Sequence, residues 1–459
     1  MTTPPRIDLH PSLSDPVLSS VGFLNEVMAQ YPEAISFAPG APYLRHLDTI
    51  ELDAYVRRGA DYLGRERGLD VAGTRRLMME YGPSRGLING LIAKGLASDF
   101  DVQVDARAVV VTVGAQEALL LALRALTGPD RDVLGVVTPT FPGILGAARL
   151  LDVDVHCLRD RGDILLHDGA GALAGPDIDE ARAACAARPR MRTLYVAPDY
   201  ANPSGGRMSL DARHALLELA DAEDLVLIED NAYGFTAGDG DELPPLWALR
   251  PDRVVLVGTF SKICLPGARV GFAVAQQPLH DHVDPNAVLA DALAAAKTMV
   301  TVNTAPLCQA LVAGLLLEAG GSLRAVGVMH AEHYRANLAR LVEELDTQLA
   351  PRLPAGAGVT WNRPAGGFFV LMELPVLVDL PQLDRCAREH GVIWTPMAEF
   401  YPGGGGERRL RLSCSYLTPE QLTEGVRRLT DFVLAAIYAE ADVNIATTPS
   451  PAAVRREFR

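Results

Sequence analysis

The chain has 459 residues, 49% of them hydrophobic and 22% charged, the composition of a globular protein rather than a disordered or fibrous one. Single cores stop growing at about 250 to 300 residues, so a chain of this length needs at least two domains. Its formal net charge of −15 repels phosphate backbones and anionic membranes, which excludes nucleic acid and membrane surfaces as expected partners.

The opening MTTPPRIDLHPSLSD has no apolar stretch to act as a secretion signal, and no apolar run approaches the ~18 residues of a membrane span, so a cytoplasmic protein is expected. The N-terminal region is rich in Pro and Ser around one helical pattern, SSVGFLNEVMAQY, and reads as a segment reaching across domains. From Arg107 to about Arg269, short β-rich runs alternate with helical patterns. AVVVTV (108–113) precedes AQEALLLALRAL, DVLGVVT (132–138) precedes PGILGAARLL, and RTLYVA (192–197), DLVLIED (224–230) and RVVLVG (253–258) follow. Continuous apolar runs mark strands buried on both faces, and strand–helix alternation implies right-handed crossovers, so a doubly wound, mostly parallel α/β sheet is predicted. A helical pattern over Leu311–Leu349 leads into a smaller α+β region, where GVTWNR, GGFFVLMEL and RRLRLSCS alternate with helical stretches at 380–390 and 418–438. The closing ADVNIATTPSPAAVRREFR lacks periodicity and reads as a flexible tail. The expected division is an N-terminal segment 1–50 joining the small domain, a large domain 51–325, a small domain 326–440 and a tail 441–459.

Six cysteines are scattered without a CxxC or a pairing rhythm, as reduced, mostly buried thiols would be. Of the 42 basic residues only Lys94, Lys262 and Lys297 are lysines, so chemistry that needs an amine has few candidates. In open α/β sheets ligands bind beyond the carboxyl ends of the strands. Those ends carry Gly114-Ala115-Gln116, Pro139-Thr140-Phe141, a turn containing Asn202-Pro203, Asp230-Asn231-Ala232-Tyr233 and Thr259-Phe260-Ser261-Lys262. A lysine at one strand end and a carboxylate at another, with a Gly-rich turn able to hold a phosphate, is what pyridoxal 5′-phosphate (PLP) needs. The lysine supplies a Schiff-base amine, the acid keeps the pyridine nitrogen protonated, and N–H groups at a helix start bind the phosphate.

The order GAQEAL, PTF, NPSGG, DNAY, TFSK and PGARVG, followed far downstream by GGFF and RLRLS, resembles the fold-type-I, class I/II aminotransferase family from about Ile35 to Leu434. The resemblance implies that Lys262 is the Schiff-base lysine and the proton shuttle at the substrate Cα, and that Asp230 pairs with the pyridine nitrogen. It implies further that Asn202 and Tyr233 hydrogen-bond the phenolic oxygen, that Phe141 stacks on the ring, and that Gly114, the Ala115 N–H, Gln116, Thr259, Ser261 and Arg269 cradle the phosphate. Arg411 would clamp the substrate α-carboxylate as a two-pronged fork, with the Gly40 backbone and Asn202 beside it. Tyr81, in EYGPSRG, would reach the phosphate of the other subunit in a homodimer with composite active sites. The stretches ISFAPGAPY, VVVTVGAQEALLLALRAL, FPGILGAARLLD and AAKTMVTVNTAPLCQAL are similar to arylglycine aminotransferases of natural-product pathways. That similarity implies an aryl amino acid, phenylglycine-type or aromatic, as one partner and a 2-oxo acid as the other.

Taken singly, each residue has a plainer reading: Asp230 as a cap, Asn202-Pro203 as a turn, Phe141 as core, Arg411 as a solvated face, Lys262 as a surface lysine. Their conjunction at successive strand ends is what favours the site. Two departures weaken it locally. Ala115 stands where many relatives carry a hydroxyl, and Phe141 where Tyr or Trp is frequent. No GxGxxG follows a strand and no GxxxxGK[ST] occurs. His280-Asp281-His282 and the pair His330 and His333 lack an HExxH or cysteine set, so they read as solvated polar residues and no metal is expected. Two other readings stand: a decarboxylase, lyase or oxidase on the same PLP scaffold, and a non-catalytic aminotransferase-like regulator. The regulator needs a basic winged-helix segment ahead of Ile35, and none is present in the sequence.

Overall fold

The computed structural model describes residues 7–48, 50–128, 132–161, 172–173, 175–237, 240, 242–280 and 283–447. Its first strands are β1 (Ile35–Ser36), β2 (Val109–Thr112), β3 (Val133–Thr138), β4 (Val155–Arg159), β5 (Ala172–Leu173), β6 (Met191–Val196) and β7 (Arg207–Met208). They are followed by β8 (Val226–Asp230), β9 (Val254–Thr259), β10 (Gly271–Val274), β11 (Thr360–Trp361), β12 (Phe369–Glu373), β13 (Val392–Ile393), β14 (Thr395–Pro396) and β15 (Arg409–Ser413).

Seven strands form one sheet in the order β2-β10-β9-β8-β6-β3-β4. The pairs β3/β4, β3/β6, β6/β8 and β8/β9 are parallel, and β10 alone runs antiparallel, to both β2 and β9. The mostly parallel sheet read from the apolar runs is therefore present. Every residue of β2 and β9 is buried, because helices cover both faces. The sequence reading passed over β4 and β10. β4 is an edge strand that mixes polar and apolar residues, and β10 is a four-residue insertion, too short to carry a pattern.

A second, antiparallel sheet runs β11-β12-β15-β14. It has its own core, in which Val370, Met372, Leu410 and Leu412 pack against Leu422, Leu429 and Phe432 of the last helix. Val27, Phe37 and Ala38 join that core, and β1 pairs in parallel with β13, so the N-terminal residues are tied to this sheet.

The helical pattern over Leu311–Leu349 is two helices, Pro306–Glu318 and Leu323–Glu344, followed by a π turn over Leu345–Leu349. Gly320 and Gly321 break it, and the Ser322 side chain caps the second helix by accepting from the Ala325 N–H. The last helix runs Pro419–Thr447, so the expectation that the tail starts at 441 is corrected; within YAEADVNIAT only the three alanines and the glutamate are strong helix formers, and no Gly or Pro interrupts it. The remainder, 448–459, lies outside the described residues, as do Asp281 and His282.

The reading of His330 and His333 as solvated is also corrected. His330 is buried with its ring stacked on His46 at 3.9 Å between centroids, and His333 stacks on Tyr43 at 4.2 Å. Burial holds both imidazoles down, to about 4. Among the described residues no group of three His, Cys, Asp or Glu is placed to hold a metal, and no single helix is long and apolar enough to cross a membrane. All six cysteines are free thiols.

Candidate active site

The parallel strands end at one edge of the sheet, where their turns surround two confluent cavities of about 270 and 650 Å³. Ala115, Gln116, Phe141, Asn202, Asp230, Tyr233, Thr259, Ser261, Lys262 and Arg269 line the smaller one. The larger shares Gln116, Phe141, Asn202, Tyr233 and Lys262 with it and adds Gly40 and Arg411. Site residues from Gly40 to Arg411 are thus brought together. Gly114 lies behind the lining, at the start of the helix that bears Ala115 and Gln116, and Tyr81 stands apart: it is 88% exposed and lines neither cavity.

One end of the smaller cavity is a cradle for an anion. The helix Gly114–Leu126 starts there, so its first N–H groups have no intrahelical partner and its dipole is positive. Gly114 has φ +75°, and a Cβ on it would sit 2.6 Å from Arg269 Nη2, so glycine lets the guanidinium close onto the helix start. Arg269 Nη1 donates to Ser261 Oγ at 3.2 Å, and Thr259 Oγ1 accepts from the Ser261 N–H at 3.1 Å. A guanidinium, two hydroxyls and free helix N–H groups are the donor set of a phosphate site.

At the cavity floor, Asp230 Oδ2 accepts from the Tyr195 hydroxyl at 2.7 Å, while Oδ1 is buried without a partner. Burial raises this carboxyl, with the Tyr195 hydrogen bond, the nearby Ala232 N–H and the Lys262 charge pulling it back. An orphaned buried carboxylate oxygen suits a ring N–H donor. Lys262 Nζ donates to the Gly40 carbonyl at 2.6 Å. Burial, aided by the Arg411 and Arg269 charges and opposed by Asp230, pushes the amine down to about 8. Burial raises the Tyr233 phenol. The donor set, the orphaned oxygen and the buried amine together fit PLP.

The larger cavity carries the carboxylate clamp. Arg411 is buried, with Nη1 donating to Asn202 Oδ1 at 2.6 Å and Nη2 donating to the Ala38 carbonyl at 2.6 Å and to Thr395 Oγ1 at 3.1 Å. Its guanidinium lies 4.3 Å over the Phe369 ring, its Nε has no partner, and burial pushes it down to about 10. A Cβ at Gly40 would meet that ring at 2.7 Å, so the absent side chain keeps the approach open. Asn202 is positioned from the second sheet: Asn362 Nδ2 donates to the Ser204 carbonyl at 2.7 Å and Asn362 Oδ1 accepts from the Leu371 N–H.

Sequence reasoning missed two parts of this arrangement. Tyr195 sat inside an apolar run and read as core. Lys297, assigned only to a helical pattern, is fully buried; its Nζ donates to Glu117 Oε2 at 2.7 Å, and the same oxygen accepts from the Val113 N–H at 2.6 Å. The signal available was a lysine set in a largely apolar helical pattern, ADALAAAKTM, where a buried charge needs a partner.

Residues 64–429 match the family described as aminotransferase class I and II. The chain is 42% identical over 430 residues to an (S)-3,5-dihydroxyphenylglycine transaminase from Amycolatopsis orientalis, covering 94% of each protein. It is 33% identical over 408 residues to a 2-aminoadipate transaminase from Thermus thermophilus, covering 88% of this chain and 90% of the relative. A solved structure of an alpha-aminoadipate aminotransferase from Thermus thermophilus, complexed with N-(5′-phosphopyridoxyl)-L-leucine, matches with TM-score 0.71 at 29% identity and covers 92% of this chain and 98% of that one.

Proposed function

The chain belongs to the class I and II aminotransferases, fold-type-I enzymes that use PLP to interconvert an amino acid and a 2-oxo acid, and from that premise we propose that its amino-acid substrate carries an aryl side chain. The observation that carries this reading is the wall of the 650 Å³ cavity. Beyond Lys262 and Arg411 it is built from Phe141, Phe369, Phe400, Leu18, Leu24 and Leu150, a surface suited to a flat apolar ring. The dihydroxyphenylglycine named for the 42% identical relative is a substrate of that class.

PLP, when bound, supplies an electron sink that acidifies the substrate Cα. In this reading Lys262 Nζ anchors the cofactor and moves the Cα proton, for which an amine near 8 is well matched to neutral pH. Asp230 holds a proton on the pyridine nitrogen, and Tyr195 fixes the carboxylate that does so. Asn202 and Tyr233 hold the phenolic oxygen, Phe141 covers the ring, and Gly114, Ala115, Gln116, Thr259, Ser261 and Arg269 hold the phosphate. Arg411 takes the α-carboxylate, with Gly40 leaving it room.

A homodimer with composite sites belongs to the same proposal. Ser84 Oγ and Thr298 Oγ1 are 2.7 Å apart, which sets the Tyr81 turn beside a segment exposing Met299, Val300 and Val302. An apolar patch of this kind marks a contact surface. We likewise assign 51–325 to the large domain and 326–440 to the small one, in keeping with their separate cores, and the reaction to the cytoplasm, where free thiols persist.

The test is a single half-reaction without acceptor, run with phenylglycine, phenylalanine, alanine and 2-aminoadipate as donors. Aryl donors should yield one equivalent of 2-oxo acid per active site and stop, and added 2-oxo acid should restart turnover. Faster reaction with alanine or 2-aminoadipate than with either aryl donor would remove the aryl reading.

A further inference from the structure

The larger cavity is not apolar throughout. Away from Lys262 and Arg411 it is enclosed by the helix Pro16–Gln30, the helix Pro142–Leu150 and the turn Ala398–Phe400. Two carboxylates line it, Asp379 and Glu399. Asp379 is in use, since its Oδ1 caps a helix by accepting from the Gln382 N–H at 3.0 Å. Asp15, which faces Glu399 from the N-terminal helix, is also in use: it pairs with Arg149 Nε at 2.9 Å and caps Val17. Glu399 differs. It is half-buried, and among the described residues its carboxylate accepts no hydrogen bond and pairs with no cation. Burial, with Asp15 adding to it, raises this carboxyl above its ordinary value. With no protein donor on it, this carboxylate is open to a donor carried by whatever enters the cavity.

An aryl amino acid would enter with its amino-acid end held by Arg411 and its ring faces against the leucines and phenylalanines. Resting on the aryl reading, we propose that Glu399 selects among aryl substrates by accepting a hydrogen bond from a ring hydroxyl, so that hydroxylated aryl amino acids are preferred over their unsubstituted counterparts. A site that offers an acceptor to a substrate hydroxyl penalises the analogue lacking it, because the acceptor is then left unpaired. Glu399 is in this account a specificity-determining residue; it takes no part in the bond changes at Cα.

The experiment compares holoenzyme with the Glu399→Gln and Glu399→Leu variants on phenylglycine, 3,5-dihydroxyphenylglycine, alanine and lysine. The unaltered enzyme should favour the dihydroxylated donor over phenylglycine by roughly ten- to a hundred-fold in kcat/KM, mainly through KM, the scale of one hydrogen bond to a charged group. Glu399→Leu should abolish that preference while turning over phenylglycine at least as well as the parent, and Glu399→Gln should keep part of it. The absorbance of bound PLP, unchanged in both variants, shows that the site is intact. If the unaltered enzyme already fails to distinguish the two aryl donors, the proposal is overturned without recourse to any variant. If it distinguishes them and both variants keep the full preference, Glu399 is not the selecting group, and the aryl reading stands. A preference of the unaltered enzyme for lysine would make Glu399 a partner for a cation and overturn both; a preference for alanine would overturn the aryl reading first.

Discussion

Lys262 is part-buried where the two cavities share their lining, and it feels the Asp230 carboxylate and the Arg411 and Arg269 guanidinium groups. An amine must be neutral to bond to the aldehyde of PLP. With its ammonium form disfavoured down to about 8, the reactive fraction grows as pH rises through that value and is complete above it. Covalent capture of PLP by cofactor-free protein should therefore accelerate about ten-fold per pH unit below about 8 and level off above it, as read by rapid mixing; a rate that keeps climbing toward an ordinary lysine value would contradict this. Arg411 makes a second prediction. Arg411→Ala should cost roughly 2 to 5 kcal/mol in kcat/KM, for every amino-acid donor alike, because the α-carboxylate is common to all of them. A variant that altered only the side-chain preference would place the carboxylate elsewhere. At this scale the sequence was informative wherever a residue type is scarce or sits just after an apolar run, as with Lys262 and Asp230. It was silent on Tyr195 and Glu399, whose roles arise from what faces them across the fold.

The helix Gly114–Leu126 and the helix Leu289–Val300 are joined by the buried pair Glu117 and Lys297, with Thr301 Oγ1 donating to Glu117 Oε1 at 2.6 Å. Glu117 also accepts from the Val113 N–H at the start of the first helix, so the pair fixes the turn that offers its N–H groups to the phosphate. Removing one member strands a buried charge. Lys297→Met should lower the unfolding free energy by about 3 to 5 kcal/mol and weaken PLP binding, while Lys297→Met combined with Glu117→Gln should recover part of both. Denaturant unfolding and PLP titration measure the two effects, and additive losses in the double variant would refute the coupling. Element types were legible where runs are long and apolar, as in β2, β3, β8 and β9. β4 and β10 were not, because an edge position and a four-residue length leave no periodicity. The break at Gly320–Gly321 shows the same limit from the other side, since the apolar period continues across it while the backbone does not.

For the whole molecule, two sheets with separate cores meet at the cavities, and Arg411 from the second sheet donates to Asn202 at the edge of the first. Tyr81 belongs to neither cavity in one chain, and its exposure next to the Met299–Val302 segment is what a residue donated across a two-fold interface requires. Hybrid dimers of Lys262→Ala and Tyr81→Phe subunits should regain a fraction of the activity, because one site then carries both lesions and the other neither. Heterodimers that form without regain, or an active monomer in sedimentation, would exclude composite sites. The mostly parallel architecture followed from run composition and alternation; the composite site rests on the family resemblance of EYGPSRG, because no run or period marks an exposed tyrosine as a site residue. Lys262, just past the end of β9, is the proposed catalytic amine. Borohydride reduction of the PLP-loaded protein followed by peptide mapping should find the phosphopyridoxyl group on Lys262, and recovery of the group on Lys94 or Lys297 would overturn that assignment.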